Sequence, residues 1–117
     1  MKEFKGTKGK WFPNVISTIT IGVNAEIERN KVGVYSQNVC EFILPDTDSE
    51  YETQREEIEA NAQLISAAPE LLEALQKSLP LMEELRDEME NSGDGVDKDI
   101  ERAIKVSKQA INKALGQ

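Results

Sequence analysis

Histidine is absent from this chain of 117 residues, and cysteine occurs once, as Cys40. The first absence removes the commonest general base together with the commonest transition-metal ligand. The second excludes an intramolecular disulfide and any cysteine-based zinc cluster. Both suit a reducing cytoplasm and leave little material for catalysis. With no His to activate it, Cys40 beside Val39 and Phe42 reads as a small apolar group rather than a nucleophile. Aromatics are few (Phe 3, Tyr 2, Trp 1), so the core must be mainly aliphatic, and Trp11 reads as a core anchor before a stacking platform. No apolar run approaches the ~20 residues of a membrane span. The opening Met1-Lys2-Glu3-Phe4-Lys5 leads into no signal-peptide segment, so a cytoplasmic protein without membrane contact is expected. No glycine-rich loop leading to Lys-Ser/Thr is present, and Gly93-Asp94-Gly95 is too short for a dinucleotide fingerprint, so no cofactor is expected. Asp94, Asp97 and Asp99 alternate with Gly95 and Lys98 but fail the spacing of a calcium loop. Glu83 and Asp87 share a helix face, as solvated pairs do in any acidic helix. The expected protein is not an enzyme, and at this length it is one domain.

What the chain has in excess is negative charge: 22 Asp and Glu against 14 Lys and Arg give −8. Nucleic acid and anionic membrane would be repelled at long range, and a basic partner is favoured. The charge is uneven. Residues 1–40 hold six bases and three acids, residues 41–59 one base and eight acids, residues 60–91 two and seven, and residues 92–117 five and four. The acidic block from Glu41 through Glu59 falls where strand-like sequence gives way to helix-like sequence. It reads either as a solvated linker with acids gathered at a helix start, where they favour the macrodipole, or as a docking surface for a basic partner. Glu50, Glu52, Glu56, Glu57 and Glu59 are the candidate contacts of that surface.

Residues 1–10, with Lys2, Lys5, Lys8 and Lys10, read as a mobile solubilising arm. From Trp11 the pattern is that of strands. Val15, Ser17, Ile19, Ile21 and Val23 alternate with Thr18 and Thr20, as in a half-buried strand running Asn14–Val23. A second strand over Ala25–Arg29 turns through Asn30-Lys31 into Val32–Tyr35, and Val39–Leu44 follows the punctuation of Ser36-Gln37-Asn38. Pro45-Asp46 ends the run. Short connections favour an antiparallel sheet of three or four strands over residues 11–45, needing a cover on its apolar face.

Beyond an acidic linker at 46–55, residues 56–116 read as two or three helices. Ala60, Leu64, Ala67, Ala68, Leu71, Leu75, Leu79, Met82 and Met89 follow three-and-four spacing, and Ala68, Leu75, Met82 and Met89 are each seven apart. Pro69 suits a first turn, so one helix should end near Ala68 and another begin with Glu70 in its first turn. Pro80 should kink or restart it, with Ser78 as a nearby cap. Asn91-Ser92-Gly93-Asp94-Gly95 breaks the pattern, Asp97 caps a last helix with Ile100, Ile104, Ser107, Ile111, Ala114 and Leu115 on one face, and Gly116 stops it. The short break makes the last helix an antiparallel neighbour, giving an α+β domain that ends in a helical hairpin. A seven-residue repeat sustained for several turns also suggests a homodimer formed by helix pairing.

The stretch Asn61-Ala62-Gln63-Leu64-Ile65-Ser66-Ala67-Ala68-Pro69-Glu70-Leu71-Leu72-Glu73-Ala74-Leu75 resembles a shared segment of short bacteriophage and prophage proteins. Ala110-Ile111-Asn112-Lys113-Ala114-Leu115-Gly116 resembles their ending, and Thr7-Lys8-Gly9-Lys10-Trp11 their opening. The likeness covers residues 7–23, 59–76 and 103–116, and its shared stretch is packing sequence with no catalytic or binding residue to carry over. It implies a phage-encoded inhibitor of a host antiviral defence, with a CRISPR effector as the leading target, because an acidic protein fits a channel lined with Lys and Arg. Two other readings stand beside it. One is an oligomeric sponge for a small nucleotide immune signal, held by Arg29, Lys31, Arg102 and Lys105. The other is a structural or regulatory phage protein acting by oligomerisation.

Overall fold

Alternation in the first half of the chain and three-and-four spacing in the second become a three-stranded antiparallel sheet followed by two helices, the α+β arrangement expected. The structure, a computed structural model, describes residues 3–17, 20–28, 34–44, 51–93 and 95–117. The strands are β1 (Trp11–Ser17), β2 (Thr20–Glu28) and β3 (Val34–Ile43), and the helices α1 (Tyr51–Ser92) and α2 (Lys98–Ala114). The described contacts gather into two compact units, Lys5–Pro69 and Met1–Phe4 with Glu70–Gln117. One continuous helix, α1, supplies residues to both.

In the first unit the strand order is β1-β2-β3, with both pairs antiparallel. The alternating stretch read as one strand over Asn14–Val23 is divided between β1 and β2, with Val15 opposite Ile21 and Ser17 opposite Thr20. Period-two alternation continues across both strands because each keeps an apolar face, so the pattern alone does not mark the boundary. Residues 18 and 19, and the expected Asn30-Lys31 turn, lie outside the described residues. Ser36-Gln37-Asn38 does not break β3. The interruption is a bulge instead: Asn24 pairs with Asn38 and Val23 with Cys40, which leaves Val39 as the extra residue.

As the central strand, β2 is buried along Ile21–Ala25 on both of its faces. Ile21, Val23 and Leu44 form the core of this unit with Ala62 of α1, and Trp11, Val39, Cys40, Phe42, Ile58 and Ile65 pack around them. Cys40 is thus the small apolar filler expected, and Trp11 an anchor whose indole N–H donates to the Thr7 carbonyl at 3.0 Å. A second tie, from the Glu26 N–H to the Lys10 carbonyl at 2.9 Å, holds the end of the basic lead-in to β2. On the opposite face of β2, Gly22 leaves room for Ile16. A methyl group there would stand 2.6 Å from Ile16 Cδ1 and 3.2 Å from the Cys40 carbonyl oxygen.

Two expectations about the helices are corrected. First, α1 begins at Tyr51, before Glu56, and runs unbroken through Pro69 and Pro80 to Ser92, so Glu70 is a mid-helix residue. Each proline removes one backbone hydrogen bond and costs about 3 kcal/mol in a helix interior. The apolar side chains on either side offset that cost, at ~1.5–3 kcal/mol for each fully buried aliphatic residue. Ser78 does not cap a restarted helix; its hydroxyl donates back to the Ala74 carbonyl at 2.7 Å. Second, over its N-terminal part α1 buries a face rotated from the one read in the sequence, whereas Leu75, Leu79 and Met82 of the expected stripe are packed as expected. Ile58, Ala62 and Ile65 pack with the sheet core, while Leu64 and Leu71 are 63% and 54% exposed.

In the second unit Leu72, Leu75, Leu79 and Met82 pack with Ile100, Ile104, Ile111 and Leu115 of α2, the helical hairpin expected. Asp97 caps α2, its carboxylate accepting the Asp99 N–H at 2.8 Å. At the other end Gly116 takes φ 76°, with Gln117 N–H bonded to Asn112 O and Gly116 N–H to Lys113 O. That is the paired 6→1 and 5→2 closure of a Schellman motif, which favours glycine because a Cβ is strained at positive φ.

Candidate functional site

Because α1 begins at Tyr51, the part of the acidic junction from Tyr51 to Glu59 is helical, while residues 45–50 lie outside the described residues. Glu52, Glu56 and Glu59 follow one another at i, i+4 and i+7 and so share one face, with Glu57 a hundred degrees round from Glu56. Glu56, Glu57 and Glu59 are exposed. Glu52 lies in the first turns by its backbone, its side chain outside what is described, and Glu50 lies outside the described residues. Glu59 accepts from Arg55 Nε at 3.1 Å, an i,i+4 pair that neutralises one acid of the group. Among the described residues no ion pair reaches Glu56 or Glu57. With the helix starting at Tyr51, only Glu52 falls in the first turn, where the helix dipole favours an acid, and Glu56 and Glu57 further along present uncompensated charge to solvent.

Glu59 also borders a cleft of about 250 Å³ between β1 and α1, lined by Pro13, Asn14, Val15, Ile21, Ala62 and Gln63. Its walls are mostly apolar, hold no cation and include the Glu59 carboxylate, so charge does not favour an anionic ligand there. Of the bases proposed for a nucleotide, Arg29 and Lys31 lie outside the described residues, and Arg102 and Lys105 are exposed on α2. Arg102 Nη1 stands 3.5 Å from Asp99 Oδ1, one turn away on the same helix.

A second acidic surface went unread as a site in the sequence. Glu83, Glu84, Asp87 and Glu88 border an open depression of about 520 Å³ on α1 together with Pro80 and Asn91. Glu83 is partly compensated by Lys108 of α2 at 3.6 Å, and Asp87 by Arg86 at 3.1 Å. The excess of acids over residues 60–91 was its signal in the sequence, but only the fold separates the compensated acids from the bare ones. Further back on the same helix, Lys77 Nζ lies 2.7 Å from Glu73 Oε1. The hydrogen bond from Lys77, and then its charge, hold the Glu73 carboxyl below the usual glutamate range. Among the described residues, no group of three or more His, Cys, Asp or Glu is placed to hold a metal ion, and no helix is long and apolar enough to cross a membrane.

These features define a class: a small α+β protein with a three-stranded antiparallel sheet, a long acidic helix and a C-terminal helical hairpin. The chain belongs to the family described as Salmonella phage P22 protein Y8K6, which matches it over residues 1–117. No curated protein and no solved structure matches it. The phage origin implied by the Asn61–Leu75 stretch is therefore established at the level of a phage protein family.

Proposed function

We propose that this phage protein acts in the host cytoplasm as a non-enzymatic inhibitor of an antiviral defence, binding a basic surface of a defence protein through the start of α1. A CRISPR effector is the leading target, because its nucleic-acid channel is lined with Lys and Arg over a length that an acidic helix can follow. The observation that carries the reading is the exposure of Glu56 and Glu57 with no ion pair among the described residues, beside Glu52 and Glu59 on the same helical turns. Such charge adds little to stability and speeds the approach of a basic partner.

The test is binding of the full chain to a purified, guide-loaded effector from the host, compared with the variant Glu50→Lys, Glu52→Lys, Glu56→Lys and Glu57→Lys. The expected result is loss of binding with an unchanged circular dichroism spectrum, and wild-type binding that weakens as salt rises. Undiminished binding by the variant would refute the acidic-surface mechanism. A nucleotide that co-purifies with the protein and is released by Arg102→Ala would replace this reading with the sponge.

A further inference from the structure

Four large aliphatic residues of α1, Leu64, Leu71, Leu81 and Leu85, are 63%, 54%, 66% and 45% exposed. The last three lie in the helical-hairpin unit and extend a repeat that neither the sheet core nor the hairpin core uses. Leu71, Ala74, Ser78, Leu81 and Leu85 are spaced three, four, three and four residues apart, and all are exposed. This is the seam of a coiled coil with its partner missing. The seven-residue repeat seen in the sequence, Ala68, Leu75, Met82 and Met89, is a different row; Leu75 and Met82 pack against α2.

We propose that a second copy of this chain docks on the Leu71–Leu85 face of α1, the two helices running antiparallel about a two-fold axis to close a four-helix bundle. The flanks of the seam determine the direction. On one side Glu70, Lys77 and Glu84 immediately precede Leu71, Ser78 and Leu85. On the other side Leu75 and Met82 follow Ala74 and Leu81 and lean on α2. A parallel pair sets the charged flank of one helix against the apolar flank of the other, which desolvates charge without an opposite partner. An antiparallel pair sets charged against charged and apolar against apolar.

The residues along the seam determine the register. With Leu81 over Ser78 of the partner subunit and Leu85 over Ala74 of the partner subunit, these two large side chains each meet a small one, and Leu71 lies at the edge of the paired segment. The same register brings Lys77 beside Glu84 of the partner subunit, and two-fold symmetry repeats that ion pair. Sliding one helix back by seven residues would put Lys77 against Lys77 of the partner subunit, so charge opposes that slip. Lys77 is 76% exposed and has three N–H donors, so it can keep Glu73 while gaining the second carboxylate. The flank carries both signs, and in this register Lys77 and Glu84 complement one another twice across the two-fold axis, which suits a second copy better than a partner of uniform charge.

Sedimentation equilibrium of the full chain at tens of micromolar tests this. Wild type sediments as a dimer. Leu81→Glu, at a position already exposed in the single chain, keeps its helix content by circular dichroism and weakens association by roughly a hundredfold, since each dimer carries the change twice. Lys77→Glu weakens it by about fivefold through loss of two exposed ion pairs, and Lys77→Glu with Glu84→Lys restores it. A monomeric wild type, a Leu81→Glu protein that dimerises as wild type does, or a double charge swap without recovery would each overturn the proposal.

Discussion

Leu79 and Leu81 are two residues apart on one helix and have opposite surroundings: Leu79 is 3% exposed, in the hairpin core with Ile104 and Ile111, and Leu81 is 66% exposed. Truncating Leu79 to Ala removes a buried side chain worth ~1.5–3 kcal/mol of transfer free energy and leaves a cavity between the helices. The expected cost is about 2–5 kcal/mol. Leu and Ala have similar helix propensity, so the backbone neither hides nor adds to the loss. Leu81→Ala in the single chain is expected to fall within about 0.5 kcal/mol of wild type. Urea unfolding followed by far-ultraviolet circular dichroism, at a protein concentration where sedimentation shows monomer, separates the two. With a slope of ~1–3 kcal/mol per molar urea, a loss of 3 kcal/mol moves the midpoint down by about 1–3 M. Equal shifts, or a larger shift for Leu81→Ala, would mean that α1 presents its other face to α2, and would refute both the packing and the seam argued from it.

Asp97→Ala is expected to cost about 1 kcal/mol and to lower the protection of the first α2 amides in hydrogen exchange, because the bond to the Asp99 N–H at 2.8 Å is lost; unchanged exchange there would refute the cap. Gly22→Ala should destabilise by ~1–3 kcal/mol through its approach to Ile16 Cδ1 and the Cys40 carbonyl. Shortening the opposing side chain with Ile16→Ala should make the Gly22→Ala cost smaller in a double-mutant cycle, and a coupling of zero would show that the two do not meet.

The types of element in this chain, and several of their ends, were legible before any tertiary contact was known. Alternation over Val15–Val23 is a local consequence of side chains pointing to opposite faces of a strand, and it marked strand structure correctly. Asp97 and Gly116 were readable as helix start and stop because a carboxylate that accepts an early N–H and a residue free to take positive φ are local requirements. The acidity of the 41–59 stretch was equally plain, since charge is a sum over residues whatever their arrangement.

Tertiary structure alone decided which apolar residues of α1 are core. The helix carries aliphatic side chains on two faces, one through Ile58, Ala62, Ile65, Leu72 and Leu79 and another through Leu64, Leu71, Leu81 and Leu85. Both satisfy three-and-four spacing, so periodicity does not rank them, and the choice is made by the sheet and by α2, which come from distant parts of the chain. Pro69 and Pro80 were misleading for the same reason: their cost is local and visible, while the packing that outweighs it is not. The candidate surface divides likewise. Its charge was evident in the sequence, but that Glu59 is paired with Arg55, and that no ion pair among the described residues reaches Glu56 or Glu57, depends on rotamers and on neighbours one turn away in a helix whose start the sequence placed five residues late.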